Sequence, residues 1–298
     1  MIPGYHAGEM WLHEPSRAIR HLAEMGYRSV AIRSRQGICV PGEAGFDAQW
    51  RLVLETAISS EIGLVIDTEA PFVLGDEACA MPSLADPDQT AASPLIEWIE
   101  RWIDAAAMRP GTIVSLASGP PRPGMNPESA LEVLAERLQR LSARADSAGV
   151  FLTIRPAVSH VIGSVAQFER FRQWLRSGVS LGLAADVGEM IHAGEMPLVA
   201  RLHRLVDDLR LVYLCDVAGS AHDSDRFDRK VQRDENDCVP GSTVGRMDVP
   251  IGSGEVAVQR VVGELAKFTT GVPIIVRVAN QSNAGLAVPR HAMRELKW

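Results

Sequence analysis

The chain has 298 residues, 46% of them hydrophobic and 22% charged, which is ample material for a large core and excludes an intrinsically disordered protein. The net charge of −7 argues against the concentrated basic field that a nucleic-acid partner needs. No apolar run approaches the roughly 20 residues of a membrane span, and the opening Met-Ile-Pro-Gly-Tyr-His lacks the basic-then-apolar order of a signal peptide. The expectation is a cytoplasmic protein with no membrane partner. Cys39, Cys79, Cys215 and Cys238 are scattered without metal-binding spacing. They read as reduced thiols, with Cys238, in a polar stretch, the one expected to be exposed.

In chain order, short β-rich runs alternate with segments of helical period. Ile2 to Gly8 reads as a first strand, and Ser16 as the cap of a helix with Ile19, Leu22, Ala23 and Met25 on one face, stopped at Gly26. Ser29 to Ile32 is a second strand. Asp47 to Glu61 is helical, and Leu64-Val-Ile-Asp-Thr-Glu69 has a buried-strand pattern. Ser93 to Ala107 follows as a helix whose Trp98 and Trp102 share a core-facing side, then Thr112 to Ala117 as strand four and Gly119 to Gly124 as loop. Pro127 to Ala148 is the clearest helix, with Leu131, Leu134, Leu138 and Leu141 at three- and four-residue steps. Strand five covers Val150 to Arg155, a helix Ser164 to Arg176, strand six Val179 to Asp186, a helix Pro197 to Val206, and strand seven Leu209 to Asp216. The polar interval from Ala218 to Gly254 exceeds a normal connection and marks a lid or surface loop. A helix from Glu255 to Phe268, strand eight from Val272 to Val278 and a closing helix from Val288 to Leu296 complete the pattern.

This rhythm predicts one α/β domain over residues 1–298, a (β/α)8 TIM barrel, a fold that usually needs about 250 residues. An open doubly wound sheet is the alternative, but neither GxGxxG nor GxxxxGK[ST] occurs in the expected context. Barrel chemistry sits at the C-terminal strand ends. There stand His6 and Glu9 after strand one, Glu69 after strand three, Arg155 after strand five, Asp186 and Glu189 after strand six, Tyr213 and Asp216 at strand seven, and Arg277 in strand eight. A strand-end carboxylate also serves as a helix cap or as the partner of an arginine. Arg155 and Arg277, flanked by apolar residues, must meet a carboxylate or an anion. His160, His192 and His222 fall in loops on the same face. His13, His21, His203 and His291 read as surface residues. Arg226, Arg229, Lys230 and Arg233 alternate with aspartates, which reads as a solvated face. The pentapeptide His-Ala-Gly-Glu-Met, at His6 and again at His192, is taken as a coincidence.

The sequence resembles the sugar-phosphate isomerase/epimerase family of xylose-isomerase-like barrels. The likeness is carried by Gly4-Tyr5-His6 with the Ala18 to Tyr27 helix end, by Asp186-Val187-Gly188, by Val212 to Val217, and by Pro250-Ile251-Gly252-Ser253-Gly254-Glu255-Val256 leading to the final strand. The resemblance implies a divalent cation held by a strand-five Glu, a strand-six Asp, a nearby His and a strand-eight Glu, both Glu also moving protons. Here Arg155 and Arg277 stand where the two Glu are expected, Glu189 replaces the His of the strand-six motif, and Tyr213 replaces a strand-seven His. Only Asp186 keeps its place.

Guanidiniums have no lone pair to offer a metal and stay charged. The expectation is therefore no metal cofactor, with Mn or Mg disfavoured, and a small anionic carbohydrate-like ligand held by Arg155, Arg277, Tyr213 and Asp216. Glu69, Asp186, Glu189 and His6 form the candidate acid/base set. The competing reading is a catalytically inactive barrel acting as a binding or partner subunit, and an oligomer is compatible with it. A relocated metal site of Glu69, Asp186, Glu189 and a histidine is a third, which the arginines oppose. The family's DNA-repair branch would need a histidine cluster and a basic surface that the sequence lacks.

Overall fold

Alternation of side chains across each strand decides this architecture. The computed structural model describes residues 1–70, 73–75, 82–218, 247–278 and 285–298. Seven strands in chain order, β1 (Ile2–His6), β2 (Ser29–Arg33), β3 (Gly63–Asp67), β4 (Ile113–Leu116), β5 (Phe151–Ile154), β6 (Leu181–Asp186) and β7 (Leu209–Leu214), form most of a parallel sheet. Two short strands, β8 (Asp216–Ala218) and β9 (Met247–Val249), pair antiparallel outside it, and β10 (Pro273–Val276) then closes the sheet between β7 and β1. The closed ring runs β1-β10-β7-β6-β5-β4-β3-β2, so the open-sheet alternative is excluded.

One parity of the strands fills the barrel. Ala31, Val65, Ile113, Ala184, Leu211 and Ile275, with Tyr213 above them, make a cluster separate from the main core. Gly4 belongs to this floor. A Cβ there would lie 2.3 Å from Ile275 Cδ1 and 3.1 Å from Ser29 O, so glycine is what lets Ile275 fill the barrel axis. The opposite parity, including Val30, Ile32, Leu64, Ile66, Val114 and Leu152, packs outward under the helices in the main core.

The helices follow their apolar stripes. They are α1 (Pro15–Glu24), α2 (Phe46–Ser59), α3 (Gln89–Ala106), α4 (Pro127–Ser147), α5 (Val165–Phe171), α6 (Val187–His192), α7 (Leu198–Arg204), α8 (Val258–Leu265) and α9 (Ala287–Leu296). Trp50 and Trp102 meet edge to face at 5.4 Å between α2 and α3, and the Trp50 indole N–H donates to Ala105 O at 2.9 Å. The Trp98 N–H donates to Thr68 O at 3.0 Å and so fixes the chain beside Glu69. At the other end of the fold, the Tyr27 hydroxyl donates to Pro289 O at 2.8 Å and ties α9 down.

Several expectations need correction. Ser16 is not the cap of α1: Glu14 takes that position and Pro15 the first turn, where its missing N–H costs nothing. Helix α3 starts at Gln89, because the Asp88 carboxylate accepts from Thr90 N at 2.9 Å, and Pro94 lies inside the helix instead of opening it. The first strand stops at His6, followed by a 3₁₀ turn over Ala7–Glu9. Helix α5 ends at Phe171 before a second 3₁₀ turn. Helix α6 was not foreseen. It starts because Asp186 Oδ1 accepts from Gly188 N and Glu189 N at 3.0 and 3.3 Å. Residues 219–246, with His222, Cys238 and the Arg226–Arg233 charges, lie outside the described residues, as does Cys79. Cys39 and Cys215 are buried, and burial pushes the Cys39 thiol up to about 12.

Gly4→Ala should destabilise the protein by about 1–3 kcal/mol through overpacking. Adding Ile275→Val, which removes the clashing methyl, should recover part of that loss. A double-mutant cycle in urea checks this, and strict additivity of the two substitutions would show that the barrel floor is not the cause.

Candidate functional site

Two residues above the apolar floor, the same strand parity turns polar. Ala31 is followed by Arg33, Val65 by Asp67, Ile113 by Ser115, Ala184 by Asp186, Leu211 by Tyr213 and Ile275 by Arg277. His6 and Arg155 hold the matching places after Gly4 and Thr153. This layer is the barrel mouth.

Arg155 is its hub. It is 3% exposed, ion-paired with Glu69 through Nη2, and has Nη1 3.7 Å from Asp186 Oδ2. Arg277 reaches the same Asp186 oxygen at 3.1 Å from the other side. Both guanidiniums face the Tyr213 ring, 5.5 and 6.0 Å from its centroid. His6, fully buried, pairs with Asp67 at 3.1 Å through Nε2, and Asp67 Oδ1 also accepts from Glu69 N at 3.1 Å. Glu9 pairs with Arg33 at 3.3 Å. Gly8 makes room for this neighbourhood, since a Cβ there would stand 2.7 Å from both Arg33 Cγ and His6 Cε1.

Burial alone would raise the Asp67 carboxyl, but Arg155, the His6 hydrogen bond and Arg33 together hold it below the usual carboxylate range. Burial, with the Asp67 charge, raises the Tyr213 hydroxyl, which is therefore a neutral donor at pH 7. That hydroxyl interacts with Ser115 without completing a hydrogen bond. Arg155 Nη1, Tyr213 Oη, Ser115 Oγ and His6 Nδ1 are all buried and have no hydrogen-bond partner among the described residues. Such groups are uncommon in folded proteins.

Of the eight residues expected at the site, Glu69, Asp186, His6, Arg155, Arg277 and Tyr213 come together here. Glu189 and Asp216 do not. Glu189 accepts from Val158 N at 2.9 Å and anchors the loop after β5. Asp216 is fully buried and takes four main-chain N–H groups: Oδ1 accepts from Val217 and Val256 at 2.9 and 3.0 Å, Oδ2 from Gly252 and Gly254 at 2.9 and 2.8 Å. A Cβ on Gly254 would lie 2.3 Å from Asp216 Oδ1. In this geometry Asp216 is a tie for the returning chain, with no oxygen left for a ligand. The repeated pentapeptide serves two local tasks: Glu9 meets Arg33, and Glu195 accepts from Val165 N and Ala166 N at 2.8 Å each, starting α5.

Sequence reading missed Asp67, Arg33 and Ser115. The signal was available, since each stands two residues beyond an inward apolar side chain on its strand. The histidines also sort out. His160 stands in the loop after β5, with Nδ1 accepting from Gly119 N at 3.2 Å, and burial followed by Arg155 lowers it to about 4. His192 closes α6, and His222 lies outside the described residues.

A closed parallel barrel with a charged layer at the C-terminal strand ends defines a (β/α)8 barrel of the kind that carries its chemistry in that mouth. The chain belongs to the xylose isomerase-like TIM barrel family, whose model matches residues 19–298. Its fold is similar to that of 3-keto-D-glucoside 4-epimerase from E. coli, with a TM-score of 0.72 and 14% identity over 100% of this chain and 99% of that one. It is also similar to an L-ribulose 3-epimerase (TM-score 0.70, 13% identity, 99% and 93% covered). The probable 3-DHS dehydratase AsbF from Bacillus anthracis is another likeness (TM-score 0.73, 12% identity, 100% and 99% covered). No curated protein matches the sequence.

The divalent cation that the family resemblance implies does not fit these residues. Asp186 spends Oδ1 on the α6 cap and turns Oδ2 to two guanidiniums, and Glu69 is paired with Arg155. Among the described residues no group of three or more His, Cys, Asp or Glu is arranged around a common point. No helix among them is long and apolar enough to cross a membrane.

Arg155→Met should cost about 3 kcal/mol, because Glu69 loses its ion pair and Asp67 its largest cationic support, while Asp186 keeps Arg277. The pH dependence is specific. With its folded pKa lowered, Asp67 contributes stability that is complete above the ordinary aspartate value and is lost as pH falls through the lower folded value. Without Arg155, burial is less opposed and the folded value moves back toward or above the ordinary one, so the stability lost on acidification should shrink or reverse in sign. Urea unfolding from pH 7 to 3 measures both, and parallel curves for the two proteins would refute the account of Arg155.

Proposed function

We propose that this barrel binds a small, anionic, carbohydrate-like molecule at its mouth and enolises it without a divalent metal. The observation that carries this reading is the set of buried polar atoms without hydrogen-bond partners around Arg155, namely its Nη1, the Tyr213 hydroxyl and the Ser115 hydroxyl. All are donors or can act as donors, and they suit an oxygen-rich ligand. Membership of a family whose structural neighbours include sugar epimerases supports the carbohydrate class.

In the proposed step, the C–H bond next to a ligand carbonyl breaks and its proton passes to the Glu69 carboxylate. The electron pair forms the new C=C bond, and the carbonyl π pair moves to oxygen, where Arg155 and Arg277 stabilise the charge. Glu69 is the candidate base because it is the half-exposed carboxylate of the group, its side chain 30% exposed. A ligand oxyanion that takes up Arg155 releases Glu69 from its ion pair, and so raises its basicity when a base is needed. His6, held by Asp67, is a positioning residue in this scheme.

The second reading, a silent binding or partner subunit, is favoured by one observation. Both guanidiniums already have carboxylate partners, and a closed ion network needs no ligand.

Titration calorimetry of the metal-stripped protein against manganese, phosphate, D-fructose 6-phosphate and D-fructuronate separates these readings, together with deuterium exchange of the two sugars in D2O with EDTA. Anion binding weakened at least about tenfold in Arg155→Ala, with exchange abolished in Glu69→Gln, is expected. Binding without exchange would select the silent barrel. Tight manganese binding would overturn the metal-free reading.

A further inference from the structure

The charges of the barrel mouth are matched before any ligand arrives. Among the described residues the layer holds three guanidiniums, Arg33 on β2, Arg155 after β5 and Arg277 after β10. Against them stand four carboxylates, Glu9 in the turn after β1, Asp67 on β3, Glu69 two residues beyond it and Asp186 on β6. Glu9 is paired with Arg33, Glu69 with Arg155, and Asp186 with Arg277 and Arg155. Asp67 has His6 of β1 at 3.1 Å and the nearby charge of Arg155. Whichever protonation state His6 takes, these groups carry no surplus positive charge. Tyr213 of β7 and His160 of the loop after β5 add none, since burial keeps the phenol neutral, and burial followed by Arg155 lowers the imidazole to about 4.

The layer meets solvent unevenly. The Glu69 side chain is 30% exposed, against 15% or less for every other side chain in these ion pairs. Asp186 and Asp67 are also fixed by main-chain donors: Asp186 Oδ1 accepts from Gly188 N and Glu189 N, and Asp67 Oδ1 from Glu69 N. A proton on either would compete with those bonds or with a guanidinium.

An anion that enters at Arg155 takes the guanidinium from the partner that borders on solvent, Glu69. Two negative groups then stand where one was matched, in a centre too dry to screen them. A proton on Glu69 removes the conflict, because adjacent like charges favour the neutral form of an acid. We infer that the mouth takes up one proton with each anion it binds at Arg155, and that Glu69 is the group that carries it. The inference rests on the proposed function and deepens it by coupling the ligand to pH. The rise in basicity that prepares Glu69 to accept a carbon-bound proton also lets it accept one from water. The protonated complex is a holding state, and enolisation proceeds from the complex that has returned that proton to solvent. Acid therefore favours binding and alkali favours turnover. Where uptake is complete, affinity falls by about tenfold per pH unit as pH rises.

D-fructuronate is the probe, because its own carboxylate stays ionised above about pH 5. Titration calorimetry of the full chain from pH 5.5 to 8.5, in pairs of cationic buffers with different ionisation enthalpies, counts the protons. We expect net uptake that reaches about half to one proton per ligand, an affinity that weakens as pH rises, and deuterium exchange at saturating ligand that rises over the same range. In Glu69→Gln the uptake and the slope should vanish. Its affinity at pH 8.5 should exceed that of the wild type by at least about tenfold, because Arg155 is left with an unmatched charge, whereas mere damage to the site would weaken binding. His6→Gln should keep the uptake. A measurement on the wild type alone stands beside the variants: infrared difference spectra of bound minus free protein should gain a carboxylic acid C=O band as a carboxylate band is lost.

Binding without proton uptake, at an affinity that ignores pH, overturns the inference and leaves the proposed function standing. Uptake that persists in Glu69→Gln, or that disappears in His6→Gln, overturns the assignment to Glu69. A wild type that fails to bind D-fructuronate even at pH 5.5, where affinity should be highest, counts against the proposed function and overturns the inference with it.

Discussion

The ion pair between Arg155 and its two carboxylates is the constraint around which the barrel mouth is arranged. A guanidinium 3% exposed cannot be left without partners, so Glu69 and Asp186 must both face inward, and Arg277 then balances the second carboxylate. Asp67 follows from the same requirement. Its charge is retained in the interior because Arg155 and His6 outweigh the cost of burial. The chemistry open to the site follows from this, since a fixed organic cation offers hydrogen bonds of set direction and never exchanges with solvent.

Such a centre differs in kind from a cage for a metal ion. A divalent cation collects lone pairs and can be removed, whereas a guanidinium donates protons in a plane and is part of the chain. The same fold can host either, because the strand ends are set by the barrel and their side chains are not. The fold shared with the epimerase and dehydratase structures at 12–14% identity shows how little of the sequence the frame itself requires.

The barrel was legible because its signals are periodic and repeated. The Leu131 to Leu141 stripe of α4 and the β-branched runs of β2, β3 and β10 are local patterns that tertiary contacts only reinforce. The layer of site residues was legible in part. Arg155 and Arg277 stood out as charges within apolar runs, but Asp67 was absorbed into a strand reading although it shares its parity with Glu69. What the sequence could not reveal was the partner of each carboxylate. Glu189 and Asp216 look as catalytic as Glu69 in the chain, and only distance shows that one holds Val158 and the other four main-chain amides. Short-range caps were misread for a similar reason: Asp88 and Asp186 start helices that an apolar count places later or omits.

The Asp216 tie has a consequence for how this protein can vary. One carboxylate joins Val217, at the end of the barrel wall, to Gly252, Gly254 and Val256, where the chain returns. The β8 and β9 pair adds a second stitch at the same neck. The intervening chain is thus attached through a knot that has already fixed its two ends 2.8 to 3.0 Å from a common group. Changes of length or composition beyond that knot are decoupled from strand register, because closing the loop is a cost met at its base and grows only slowly with added residues. Selection can therefore rewrite the sequence between these two ends while strand register and the arginine centre stay intact, which makes the neck a natural point for recombination between barrels.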